Sequence, residues 1–282
     1  MNKPIRIIPR LDIKGPNLVK GINLEGLRVL GNPIKFAEYY YQAGADEIFY
    51  MDVVASLYDR KFLKKVVNET SKKIFIPITV GGGLRTLKDI EEVLKIGADK
   101  VSLNTAALRN PNFIKKSINV FGSSTICISI EAVKHNDNKY YCYINNGRDS
   151  SGKELISWIK ILENIGVGEI ILTSVSHEGT QIGLDLNMIK KIPKKLSLPL
   201  IIHGGVGEPN HILKIKNNSN ISGVAMSSVL HYKAINNISF KKNKKEGNVE
   251  YVTSRENFNI SSGYEIKEIK KLLIKNNINC RI

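Results

Sequence analysis

A chain of 282 residues, 42% hydrophobic, can bury one large core, and no apolar run in it approaches the roughly 18 residues of a membrane span. Met1-Asn2-Lys3-Pro4-Ile5-Arg6 lacks the apolar stretch of a signal peptide, and Cys127, Cys142 and Cys280 have neither metal spacing nor evident pairing. A cytoplasmic protein with no metal or other cofactor and no membrane partner is therefore expected. The net charge of +16 suggests nucleic acid, but the lysines are scattered, and the one dense run, Lys241-Lys242-Asn243-Lys244-Lys245, has no interleaved aromatics to stack on bases. Surplus positive charge also draws in a phosphorylated small molecule, which is the partner favoured here.

Val/Ile-rich runs bounded by Gly, Pro or Asn predict eight strands, near residues 5–12, 47–52, 74–80, 100–104, 125–131, 169–174, 199–203 and 222–227. Amphipathic stretches alternate with them. Thr86 to Ile96 places Leu87, Ile90, Val93 and Leu94 on one face, and Asn110-Pro111 opens another helix. Strict β-α alternation implies parallel strands covered by helices. After the eighth strand, residues 236–263 turn polar and charged, the pattern of an inserted loop or flap before a last helix, Tyr264 to Lys275.

The chain nearly repeats itself at an offset of about 122 residues. Ala43-Gly44-Ala45-Asp46-Glu47-Ile48 returns as Ile165-Gly166-Val167-Gly168-Glu169-Ile170. Ile76-Pro77-Ile78-Thr79-Val80 returns as Leu198-Pro199-Leu200-Ile201-Ile202, each followed by glycines. Four β-α pairs duplicated make eight, the count that closes a parallel barrel; residues 1–282 are read as one α/β (βα)8 TIM barrel with internal half-barrel duplication.

Side chains alternate along a strand, so one parity faces the barrel interior. That parity groups Arg6, Ile8, Arg10 and Asp12 on the first strand, and Cys127, Ser129 and Glu131 on the fifth. Chemistry in such barrels sits at the C-terminal strand ends, where Asp12 and Glu131 are equivalent by the repeat and suited to general acid and base roles. The plainer alternative is strand-end carboxylates that cap helices or pair with lysines. Gly81-Gly82-Gly83 and Gly204-Gly205 let backbone approach a ligand, and Asn104-Thr105 and Ser227-Ser228 begin neighbouring loops. Two symmetric copies predict two anion sites and a substrate phosphorylated at both ends. Arg6, Glu47, Lys100 and Glu169 open strands at the opposite end, as a salt-bridged plug or as a ring that gates a passage.

With these residues in view, the chain resembles the HisF family, the cyclase subunit of imidazole glycerol phosphate synthase. Arg6-Ile7-Ile8-Pro9 with Leu11-Asp12-Ile13-Lys14, Val19-Lys20-Gly21, Val80-Gly81-Gly82-Gly83, Leu103-Asn104-Thr105-Ala106 and Leu172-Thr173-Ser174 match it in order. The resemblance implies a lyase of histidine biosynthesis that takes ammonia from a HisH-like glutaminase partner. Its substrate would be a ribulosyl-linked aminoimidazole carboxamide ribotide with a phosphate at each end. It further implies Asp12 and Glu131 as catalytic acids and bases, with Lys20 on a flexible loop that covers substrate. Gly83, Asn104 and Thr105 would hold one phosphate, and Gly179, Gly205, Ser227 and Ser228 the other. Arg6, Glu47, Lys100 and Glu169 would ring the ammonia entrance, and Asp99 would lie on the face that docks the glutaminase.

Against the family's pattern, Arg10 stands for a cysteine, Glu131 and Glu178 for aspartates, and His203 for a serine. A buried Arg10 requires a carboxylate, with Asp12 and Glu131 the candidates, and the pairing is expected to depress their pKa values. The longer Glu131 is expected to serve that contact. This pattern is similar to a HisF-like branch associated with surface-glycan genes, in which the barrel is an adaptor relaying ammonia to a sugar amidotransferase.

Overall fold

The computed structural model describes residues 4–55, 61–238 and 263–281. Eight parallel strands close on themselves in the order β1 (Arg6–Lys14), β4 (Ile48–Asp52), β5 (Ile78–Gly81), β6 (Lys100–Leu103), β7 (Ile126–Lys134), β10 (Glu169–Ser174), β11 (Leu200–His203) and β12 (Ile221–Met226). β12 pairs back with β1, and β7 with β10. The (βα)8 barrel expected from the repeat is the fold.

The helices pack outside: α1 (Pro33–Gln42), α2 (Lys61–Ser71), α3 (Leu87–Lys95), α4 (Thr105–Arg109), α5 (Pro111–Phe121), α6 (Leu155–Ile165), α7 (Leu186–Lys191), α8 (Asn210–Leu213), α9 (Ser228–Ile235) and α10 (Ile266–Lys275). α3 starts one residue inside the expected stretch because Thr86 and Asp89 exchange side-chain-to-backbone bonds, a capping box. Asn110 precedes α5 as expected, but its side chain makes no capping bond. No helix among the described residues is long and apolar enough to cross a membrane.

The duplication is visible in three dimensions. The first strand of each half is nine residues long and runs on into an antiparallel hairpin: β2 (Asn17–Ile22) with β3 (Glu25–Gly31) after β1, and β8 (Tyr140–Ile144) with β9 (Asp149–Glu154) after β7. The eight-strand expectation missed these hairpins, although Tyr140-Tyr141-Cys142-Tyr143-Ile144 is β-rich enough to have marked one. A local device also recurs within the first half. Asp46 Oδ2 accepts Ile7 N (2.7 Å) and Asp99 Oδ2 accepts Ile78 N (2.8 Å), so each aspartate after Gly-Ala satisfies an amide at the start of a neighbouring strand.

Two apolar regions separate cleanly. The larger lies between sheet and helices; the smaller, formed by Ile8, Phe49, Met51, Cys127, Ile171, Ile201 and Ala225, fills the barrel. Of the expected insertion at 236–263, residues 239–262 lie outside the described residues. The chain returns beside α9, where Tyr264 N donates to Val229 O (3.0 Å).

Candidate active site

At the N-terminal end of the barrel four charges interlock. Arg6 pairs with Glu47 (2.9 Å) and with Glu169, while Lys100 pairs with Glu47 (2.8 Å) and Glu169 (3.0 Å). Thr79 Oγ1 donates to Glu47 Oε1 at 2.5 Å. Burial opposes the charge on Lys100, but Glu47 and Glu169 outweigh it, and its pKa lies above the ordinary lysine value. The four predicted ring residues thus form one alternating, charge-balanced closure. Asp99 sits on the same end, exposed beside Lys100.

At the other end, Asp12 and Glu131 are both buried at the mouth. Arg10 is completely buried one layer below, and its Nε donates to Asp12 Oδ1 at 2.9 Å. Its Nη1 lies 3.4 Å from Thr173 Oγ1 and 3.2 Å from His203 Nδ1, and its guanidinium stands 5.6 Å from the Phe49 ring centroid. Because arginine only donates, His203 Nδ1 accepts, leaving Nε2–H facing Ser227 Oγ at 3.5 Å. Burial first, then the charges of Arg10 and Lys20, keep His203 neutral, with its pKa well below the histidine norm.

Glu131 accepts Asn104 Nδ2 (3.0 Å) and Gly147 N (2.8 Å). Burial pushes its carboxyl up to about 7, against the opposing pull of Arg10 and these two donors. Two expectations fail here. Glu131 makes no contact with Arg10, its longer side chain reaching Asn104 and the backbone of the second hairpin instead. Its pKa rises rather than falls, because dehydration of the carboxylate outweighs the nearby cation. Arg10 itself behaves as required of a buried cation by taking Asp12.

Lys20 was expected on a loop. It lies in β2, buried, its Nζ paired with Glu178 and donating to Gly21 O (2.7 Å). The predicted anion-site residues fall into two groups. Gly83, Asn104 and Thr105 line a cavity of about 370 Å³ that reaches Glu131. Gly179, Gly205, Ser227 and Ser228 line a space of only about 10 Å³. The two are related by the repeat, since Asn104 and Ser227 share one backbone conformation, φ −127° and ψ −85° against φ −123° and ψ −85°. Asn104 Nδ2 is engaged by Glu131 and Tyr143 O, and Ser227 Oγ donates to Arg10 O (3.0 Å). Backbone and Thr105 are what remain for an anion in the first group. Sequence reasoning missed Arg85, Arg109 and Arg148, which also line the larger cavity. Their place beside the candidate anion-site loops was a usable signal only for Arg85 and Arg109.

The sequence profile of the "Histidine biosynthesis protein" family matches residues 6–236. Imidazole glycerol phosphate synthase subunit HisF of Legionella pneumophila is 48% identical over 204 residues, covering 72% of this chain and 96% of its own. The protein of the same name from Staphylococcus saprophyticus is 40% identical over 245 residues, covering 86% and 97%. That from Bacillus cereus (strain G9842) is 41% identical over 245 residues, covering 87% and 97%. The chain belongs to the HisF family. Within the HisF framework, three of its departures gather on one side of the mouth: Arg10 touches His203, and Glu178 and His203 both line the smaller space. Glu131 alone faces the larger cavity.

Proposed function

We propose that this chain is the cyclase subunit of an imidazole glycerol phosphate synthase. It takes ammonia from a glutaminase docked at the ring of Arg6, Glu47, Lys100 and Glu169 and adds it to the ribulosyl ribotide at the mouth. The products are imidazole glycerol phosphate and aminoimidazole carboxamide ribotide. The observation that carries this reading is the pair of carboxyl groups at the mouth in different electrostatic settings. Glu131, with its pKa raised to about 7, is part protonated at neutral pH and suited to donate a proton to the substrate oxygen that leaves. Asp12, in an ion pair with Arg10, is suited to accept protons from the attacking nitrogen. Gly83 and Thr105, with the cavity arginines, would hold one phosphate end against these acids. Between ring and mouth, Ser102 and Ser129 are buried with hydroxyls that have no partner among the described residues, polar stations for ammonia in an apolar layer.

The test is to supply the purified chain with ammonium salt and the ribulosyl ribotide and follow imidazole glycerol phosphate by mass spectrometry. Turnover below a thousandth of a typical enzyme's roughly 10 per second would favour the adaptor reading. One observation favours that second reading: Arg10 and His203 fill the side of the mouth where the second phosphate would sit. The barrel would then conduct ammonia to a sugar amidotransferase, and glutaminase docking would survive while turnover would not.

A further inference from the structure

The two half-sites at the mouth come from one duplicated motif, yet they are unlike. The one containing Gly83 opens into a cavity of about 370 Å³ whose lining includes Arg85, Arg109 and Arg148, none of them paired with a carboxylate among the described residues. The one containing Gly179 keeps about 10 Å³, less than a phosphate group needs. The first hairpin closes it. A side chain at Gly179 would meet Gly21 O at 2.6 Å and Lys20 Nζ at 3.3 Å, so the β2 strand lies directly on this loop.

What holds the hairpin there is an anion supplied by the chain. The Glu178 carboxylate pairs with Lys20 Nζ, its Oε2 accepts Leu24 N (3.1 Å), and its backbone oxygen accepts Asn23 N (2.8 Å). Below it Arg10 is matched by Asp12, and His203 is neutral. This half of the mouth is therefore balanced in charge before any ligand arrives, while the arginine-lined half is not.

We propose that Glu178 is a built-in substitute for the second phosphate. A ligand phosphorylated at both ends binds first through the open half-site, and its second phosphate enters only by taking Lys20 from Glu178. This rests on the doubly phosphorylated ligand of the reading above and adds the order in which its ends bind. Breaking the pair strands a buried carboxylate, so the second phosphate binds more weakly than the first, by roughly a hundredfold. Glu178 is thus a specificity-determining residue: it admits an anion able to replace a carboxylate on Lys20 and keeps the hairpin shut otherwise.

Equilibrium dialysis of the whole chain with labelled inorganic phosphate tests the order. The native chain should bind one phosphate, then a second about a hundredfold more weakly. Glu178→Gln retains an acceptor for Leu24 N but removes the charge, and should bring the second affinity to within about tenfold of the first. Adding Lys20→Met to that variant should abolish the gain. In the native chain, hydrogen exchange at the Asn23 and Leu24 amides should rise only at phosphate concentrations that fill the second site. Two equal sites in the native chain, an unchanged second affinity in Glu178→Gln, or amides that stay protected throughout would overturn the proposal. Absence of any phosphate at the open half-site would remove the doubly phosphorylated ligand itself, and the order with it.

Discussion

Replacing Glu131 by glutamine isolates the most perturbed acid at the mouth. Its carboxyl titrates near 7 in the folded chain against an ordinary 4.5. The folded state therefore holds a proton that the unfolded chain has already released. Its contribution is fully present below pH 4.5, declines as pH rises, and is lost once pH passes about 7. The difference is worth about 3 kcal/mol, most of it the cost of dehydrating a carboxylate. Glutamine keeps an acceptor for Asn104 and Gly147 and cannot ionise. Urea unfolding of both proteins from pH 4 to pH 8.5 should thus show the native chain losing about 3 kcal/mol relative to Glu131→Gln, with the change centred between pH 4.5 and 7. Ammonia-dependent turnover, corrected for the free ammonia present, should fall through a limb near pH 7 in the native chain. In the variant turnover should be lower by about 10²–10⁴. Parallel stability curves for the two proteins would refute the argument that burial dominates this site.

Arg10 pairs with Asp12 and reaches Glu131 only through space, so an Arg10→Met, Asp12→Asn double-mutant cycle should show coupling of about 2 kcal/mol in unfolding free energy, with a smaller coupling for the cycle with Glu131→Gln. Arg10→Met alone should destabilise by about 3–5 kcal/mol, read by the denaturation midpoint, because Asp12 is left buried and unpaired. Lys100→Met opens one side of the alternating ring and should lower glutamine-dependent turnover relative to ammonium-dependent turnover, measured in the same complex. Asp99→Asn keeps an acceptor for Ile78 N while removing the charge; calorimetric titration should show weaker binding to the glutaminase with an unchanged melting temperature. Equal affinity would place docking elsewhere on this end.

The barrel was legible in the sequence because its causes are local and repeated. Period-two apolar runs, Gly-rich loops and a duplicated unit specify eight strands and the end at which chemistry sits. The same parity put Arg6, Glu47, Lys100 and Glu169 in one layer and Asp12 and Glu131 at the mouth. Side-chain pairing was not legible. Arg10 is two residues from Asp12 and far from Glu131 along the chain, but the choice between them was made by the strands that surround it, which bring Thr173 and His203 to its Nη1. Lys20 was placed on a mobile loop by the family resemblance alone; Glu178, which pairs with it, comes from the other half of the barrel. The rise in the Glu131 pKa depends on how much water reaches the carboxyl, a property of the closed barrel and its second hairpin. Periodicity fixes which way a side chain points, whereas charge balance at the mouth depends on which half-barrel residues meet there, and only the folded chain brings them together.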